Sequence, residues 1–214
     1  MSTERHNNNN NNNSNNSNNN SNNNINNSNT NNKNSTDVDI IMCIDSNRKF
    51  INFRKLWTLK GTKRRRSGNL ASVKMAIERE KATNVKYFLI SVGTNDIDEK
   101  DPSSILDEYV EIVELLRRKY PGINIIINQL PPRKLRHDDK VQAMNQLLTE
   151  MCHGKDFLYL VNQDGLRNDV DRNMYDDKHI HRRAVYIFAG NIKRTLRKAY
   201  GIPEPQRDDA IRIP

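Results

Sequence analysis

The chain has 214 residues, with 35 Lys and Arg against 26 Asp and Glu, and only two cysteines. No apolar stretch reaches the ~20 residues that cross a membrane, no apolar leader opens the sequence, and two cysteines are too few for a disulfide framework or a cysteine-rich zinc site. The net charge of +9 permits weak, salt-sensitive, non-specific binding to nucleic acid, and an intracellular, cytoplasmic location is the expectation.

Residues 1–36 are expected to form a disordered Asn-rich tail. From Asn7 to Asn34 the chain is nearly all Asn and Ser, broken by Ile25, Thr30 and Lys33. Such a tract has no apolar period with which to offset its ordering entropy. The texture changes at Val38. Residues 37–200 suffice for one domain with a substantial core, and 201–214 read as a C-terminal tail.

Residues 38–44 are apolar except for Asp39 and predict a buried strand that empties into Asp45-Ser46-Asn47, a turn and helix-cap cluster. A basic segment follows, with Phe50, Ile51, Phe53 and Leu56 as its apolar face, and residues 57–63 predict a second strand. Over 69–82, Leu70, Val73 and Ile77 share one helical face. Residues 85–92 (VKYFLISV) predict the clearest strand, which ends at Gly93-Thr94-Asn95-Asp96.

The next helix is expected to be capped by Asp101, with Pro102 in its first turn and Ile105, Tyr109, Ile112, Val113 and Leu116 as its buried stripe. Pro121-Gly122 stops it. Residues 123–130 predict another strand, closed by Pro131-Pro132. Residues 137–153 carry Val141, Met144, Leu147, Leu148 and Met151 at helical spacing and end at Gly154. Residues 157–161 predict the last strand and 180–200 the last helix. Cys43 and Cys152 both read as small core residues.

Largely apolar strands alternating with helices predict an α/β fold, a parallel sheet covered on both faces. In such sheets the working residues gather at the carboxyl ends of the strands. Three polar clusters fall there. Ser46 is poised for a nucleophile if a base can take its proton; an ordinary helix cap is the plain alternative. His179 lies three residues after Asp176, a spacing that lets a carboxylate orient the imidazole; otherwise it is a surface His beside solvated acids, and Asp177 is a rival partner. Asn95 can aim its amide at a developing oxyanion or simply sit in a turn, with Gly93 easing the chain reversal.

Taken together and in this order, Ile44-Asp45-Ser46-Asn47, Gly93-Thr94-Asn95-Asp96 and Asp176-Asp177-Lys178-His179 resemble the motif blocks of the SGNH (GDSL-like) hydrolases. The resemblance implies a three-layer α/β/α sandwich with a five-stranded parallel sheet, flavodoxin-like in type. It implies an esterase that needs no metal or other cofactor and acts on a small ester substrate. Ser46 would be the nucleophile, His179 the base and Asp176 its orienter. The oxyanion hole would be lined by Ser46, Asn95 and a glycine: Gly68, with Gly61 as the runner-up. The family usually has Gly where this chain has Ile44, and a β-branched residue suits a strand but not a turn of positive φ.

Three longer strings, IDSNRKFIN, LPPRKLRHDDKVQAMN and DDKHIHRRAVYIFAGNI, resemble a mobile-element-associated group of SGNH-like proteins in animal genomes. That narrower likeness allows a second function, a non-catalytic module that binds nucleic acid or a protein partner. Lys63-Arg64-Arg65-Arg66 and the cations from Arg182 to Lys198 would be its surface; the alternative is a solvated face. Nothing in the sequence sets an oligomeric state.

Overall fold

The computed structural model describes residues 38–59 and 61–204. The tail expected over residues 1–36 lies outside them, and so does the tail expected over 201–214 from residue 205 onward. Five strands, β1 (Ile40–Ile44), β2 (Thr62–Arg66), β3 (Tyr87–Ser91), β4 (Asn124–Asn128) and β5 (Leu158–Val161), form one parallel sheet in the order β2-β1-β3-β4-β5. Four helices of some length connect or follow them: α2 (Leu70–Glu78), α3 (Pro102–Lys119), α4 (Asp138–Cys152) and α6 (Val185–Ala199). Two single-turn helices, α1 (Phe53–Leu56) and α5 (Val170–Asn173), lie in the connections.

The side-chain alternation of the strands divides the core into two layers. Ile41 and Cys43 of β1, Phe88 and Ile90 of β3, and Ile125 and Ile127 of β4 pack with the apolar stripes of α2, α3 and α4. Ile40, Met42 and Ile44, with Leu89 and Ile126, face α1 and α6 instead. Each fully buried side chain of this size contributes about 1.5–3 kcal/mol of transfer free energy, which explains why Ile, Leu, Phe and Met fill most positions of the central strands β1, β3 and β4. The expected three-layer α/β/α architecture with a five-stranded parallel sheet is what the structure contains. Both cysteines are free and buried.

The second strand lies later than its predicted position. Trp57 is buried, but its ring packs at 4.9 Å from the Tyr200 ring rather than in the sheet. The strand is Thr62–Arg66, TKRRR, which contains no apolar residue. It is tolerated because β2 is an edge strand and Glu80, just beyond α2, neutralises one of its faces. Glu80 is 1% exposed at its side chain and holds Lys63 at 2.6 Å and Arg65 at 3.1 Å. It also accepts the backbone N–H groups of Lys81 and Ala82.

Burial alone would raise the Glu80 carboxyl, but these donors outweigh it and bring its pKa down to about 2. The group therefore contributes stability above the ordinary carboxylate range, and that contribution is lost as the pH falls through about 2. Glu80→Ala is expected to cost about 3 kcal/mol of unfolding free energy near neutral pH. The gap from wild type should close in strong acid, as read by urea titrations across pH.

Two smaller departures concern single turns. Asp101 occupies the N-cap position of α3, yet its carboxylate makes no capping bond and instead faces Lys140 at 3.6 Å. The stretch after β5, to which no element is assigned from the sequence, folds as a 3-10 segment, Asp164–Asp169, running into α5.

Candidate active site

β1 ends at Ile44, in register with Arg66 and Ser91, and its backbone does not adopt positive φ. The chain turns after it, not at it, so a β-branched side chain fits there and stays 1% exposed in the core. Asp45 is buried and accepts the Asn47 N–H at 2.9 Å. Burial pushes the Asp45 carboxyl up, against the pull of that N–H. Ser46 then opens a short 3-10 turn, Ser46–Phe50, half-buried at the carboxyl edge of the sheet.

His179 reaches the same edge from a tight loop. Met174 and Ile180 form an antiparallel bridge, and the Tyr175 N–H donates to the His179 carbonyl at 2.7 Å. Within the loop, Asp176 accepts the Lys178 and His179 N–H groups at 3.0 and 2.8 Å. The His179 Nδ1 lies 2.8 and 3.0 Å from the two Asp176 oxygens, and Nε2 lies 3.1 Å from Ser46 Oγ. With a carboxylate on its Nδ1 side, the neutral ring carries its proton there and turns the Nε2 lone pair toward the serine hydroxyl. Partial burial would raise the Asp176 carboxyl. The imidazole and the two backbone N–H groups more than offset this and hold it below its ordinary value.

Asp177, the rival partner for the imidazole, points elsewhere. Its carboxylate accepts the Leu135 and Arg136 N–H groups at 2.7 and 3.0 Å and meets Arg133 at 3.2 Å. Three residues that anchor the site carry no local sequence signal of that role. Asn47 accepts the Ile180 N–H at 3.0 Å through its side chain and clasps the histidine loop to the serine turn. Arg133, through the Thr94 carbonyl, Asp98 and Asp177, and Lys178, through Asn95 and Asp98, tie the Asn95 loop to the same histidine loop.

Gly93 has φ +125, and a Cβ there would meet Leu130 at 3.1 Å and the Tyr109 hydroxyl at 3.2 Å, so only glycine fits. It delivers Thr94-Asn95-Asp96 to the front of α2. Asp96 accepts the Leu70 N–H at 3.2 Å, and Asn95 Nδ2 donates to the Gly68 carbonyl at 2.7 Å. Ser46, Gly68, Asn95, Asp176 and His179 thus all lie on loops at the carboxyl edge. Gly61 does not. Its carbonyl accepts from Asp39 and Ile40 at the opposite end of β1, which removes it as an oxyanion candidate.

A cleft of about 410 Å³ opens over Ser46 and His179, walled by Phe50, Tyr175 and Ile180, with Lys49 also lining it. A larger depression, about 620 Å³, lies near Gly154 and Leu158 at the amino end of β5, away from the nucleophile–base pair. Among the described residues there is no cluster of three His, Cys, Asp or Glu side chains placed to hold a metal ion. Nor is any helix among them long and apolar enough to cross a membrane.

No protein-family model matches the sequence, and no curated protein matches it significantly. Solved structures do share its fold. The C-terminal catalytic domain of peptidoglycan O-acetyltransferase A from Streptococcus pneumoniae superposes with TM-score 0.61 at 13% identity, over 78% of this chain and 96% of that one. A GDSL-like lipase from Bacteroides thetaiotaomicron gives 0.60 at 15% identity, over 76% and 89%. A lipolytic G-D-S-L family member from Veillonella parvula gives 0.57 at 15% identity, over 72% and 95%. At these identities the likeness is one of fold.

Proposed function

We propose that the chain is a serine hydrolase of SGNH type that cleaves small esters through an acyl-enzyme. The observation that carries this reading is the unbroken hydrogen-bonded line from Asp176 through His179 to Ser46, with links of 2.8 and 3.1 Å. Ser46 Oγ attacks the acyl carbon while His179 Nε2 takes its proton. Negative charge gathers on the former carbonyl oxygen, where the N–H groups of Ser46 and Gly68 and the Asn95 amide are the donors. The imidazolium, stabilised by Asp176, protonates the departing alcohol. Water then attacks the acyl carbon and gives its proton to the same ring, which passes it on to Ser46 Oγ as the acyl–Oγ bond breaks and the acid leaves. Neighbours in fold described as a GDSL-like lipase and an acetyl esterase support ester chemistry, and the apolar walls of the cleft suit an uncharged acyl group.

Reaction with a fluorophosphonate probe tests this directly, because only an activated serine attacks phosphorus quickly. The expected result is one adduct per chain, mapped to Ser46 by peptide mass spectrometry. No adduct, or an adduct on another residue, would reject the assignment.

A second reading keeps the scaffold without turnover, as a polyanion-binding module of mobile-element origin. It rests on the exposed Arg64 and Arg66 of β2 and the exposed Lys193, Arg194 and Lys198 of α6. RNA binding that falls steeply with salt, in a protein that neither labels nor turns over, is the outcome that favours it.

A further inference from the structure

We propose that Lys178 is a positioning residue for the oxyanion hole, holding the Asn95 amide in its working orientation and polarising it. The inference rests on the hydrolase reading above and adds a residue to it. Lys178 lies between the two members of the Asp176–His179 pair in the loop, but its side chain turns away from them. Its Nζ donates to Asn95 Oδ1 at 3.1 Å and to Asp98 Oδ2 at 3.1 Å.

The chemistry of the contacts fixes which way the amide faces. Asn95 Oδ1 meets an ammonium, and Nδ2 meets the Gly68 carbonyl at 2.7 Å. Rotating the amide by half a turn would set its NH2 group against a cation and its oxygen against a carbonyl, losing both bonds. With the oxygen held by Lys178, one Nδ2 hydrogen serves Gly68 and the other remains for a ligand. A cation on the amide oxygen also draws electron density from the nitrogen, which strengthens the N–H as a donor to developing negative charge.

Lys178 is itself held. Asp98 gives one oxygen to Lys178 and the other to Arg133 at 2.8 Å, and Arg133 also reaches Asp177, the residue before Lys178. The loop that brings the base thereby also sets the oxyanion donor. A lone Lys178–Asp98 pair on a one-third exposed side chain would contribute little by itself. The bond to Asn95 Oδ1 is what assigns a role in turnover.

The test is a double-mutant cycle on kcat for a small p-nitrophenyl ester, with wild type and Ser46→Ala run alongside. Asn95→Ala is expected to lower kcat about 100- to 1000-fold, and Lys178→Met about 10- to 100-fold with KM within about twofold. In the Asn95→Ala background, Lys178→Met is expected to change kcat by less than about twofold, because its target is gone. An equal loss with and without Asn95, or no loss in wild type, would overturn the inference while leaving the hydrolase reading intact. Wild-type turnover no faster than Ser46→Ala would remove the hydrolase reading and this inference with it. If Lys178→Met does not fold, Lys178→Ala carries the same cycle, since it too removes both the donor and the charge.

Discussion

Ser46→Ala and His179→Ala are each expected to lower kcat for a small ester by about 10⁴-fold or more, and the double variant by no more than the worse single. The reason is the division of labour across one 3.1 Å contact. A serine hydroxyl holds its proton far too tightly to attack at neutral pH, and an imidazole without that hydroxyl has no nucleophile to activate. Once either is gone, the other has nothing left to do, so the losses do not multiply. The residual rate comes from the oxyanion donors and from binding.

Neither change is expected to unfold the chain. Both groups face the cleft, and the loop that carries His179 is held by the Asn47 side chain on the Ile180 N–H and by the Met174–Ile180 bridge, not by the imidazole. Initial-rate kinetics and thermal melts on the same preparations separate the two effects. Turnover by Ser46→Ala equal to wild type would end the serine-hydrolase reading. Multiplicative losses would mean that the two residues act in separate steps.

The parts of the fold and site that the sequence disclosed share one property: their signal is local. β1, β3 and β4 are short apolar runs bounded by turn residues. The Asp176–His179 pair is three residues apart, and Ser46 sits two residues past the end of a strand. What stayed hidden depends on partners far along the chain. Thr62–Arg66 has the composition of a solvated stretch and becomes a strand because Glu80, 14 or more positions later, takes two of its cations. Asn47 looked like a cap residue, but its side chain accepts from a residue 133 positions away. Arg133, in a proline-flanked basic segment, gives no hint of being buried. Ile44 shows the converse: the family pattern has Gly there, and in this chain the backbone remains extended through a β-branched residue.

Arg133→Met is expected to be the most destabilising single substitution at the site, by about 3–5 kcal/mol. The Arg133 side chain is 1% exposed. Its terminal nitrogens reach the Thr94 carbonyl at 2.6 Å, Asp98 at 2.8 Å and Asp177 at 3.2 Å. These acceptors belong to the loop after β3 and the histidine loop, so one guanidinium joins the two halves of the site. Methionine replaces most of the apolar volume but leaves two carboxylates and a carbonyl partly buried without their shared donor, and that stranding is the costly step.

Burial tends to raise the Asp177 carboxyl, and the Leu135 and Arg136 N–H groups with the Arg133 charge hold it below its ordinary value. The network therefore contributes fully above the ordinary carboxylate range and weakens as the pH falls through the lowered Asp177 pKa. Stability differences between wild type and Arg133→Met should shrink in that direction.

For a domain of this size the loss corresponds to a fall in Tm of roughly 10 °C, with kcat reduced at temperatures where the variant is still folded. Arg133→Lys retains the charge but lacks the planar fork needed to reach three acceptors, so it is expected to lie between the two. A melt of Arg133→Met within about 2 °C of wild type would show that the two loops keep their places without this residue. The coupling between base and oxyanion donor would then have to reside in Lys178 alone.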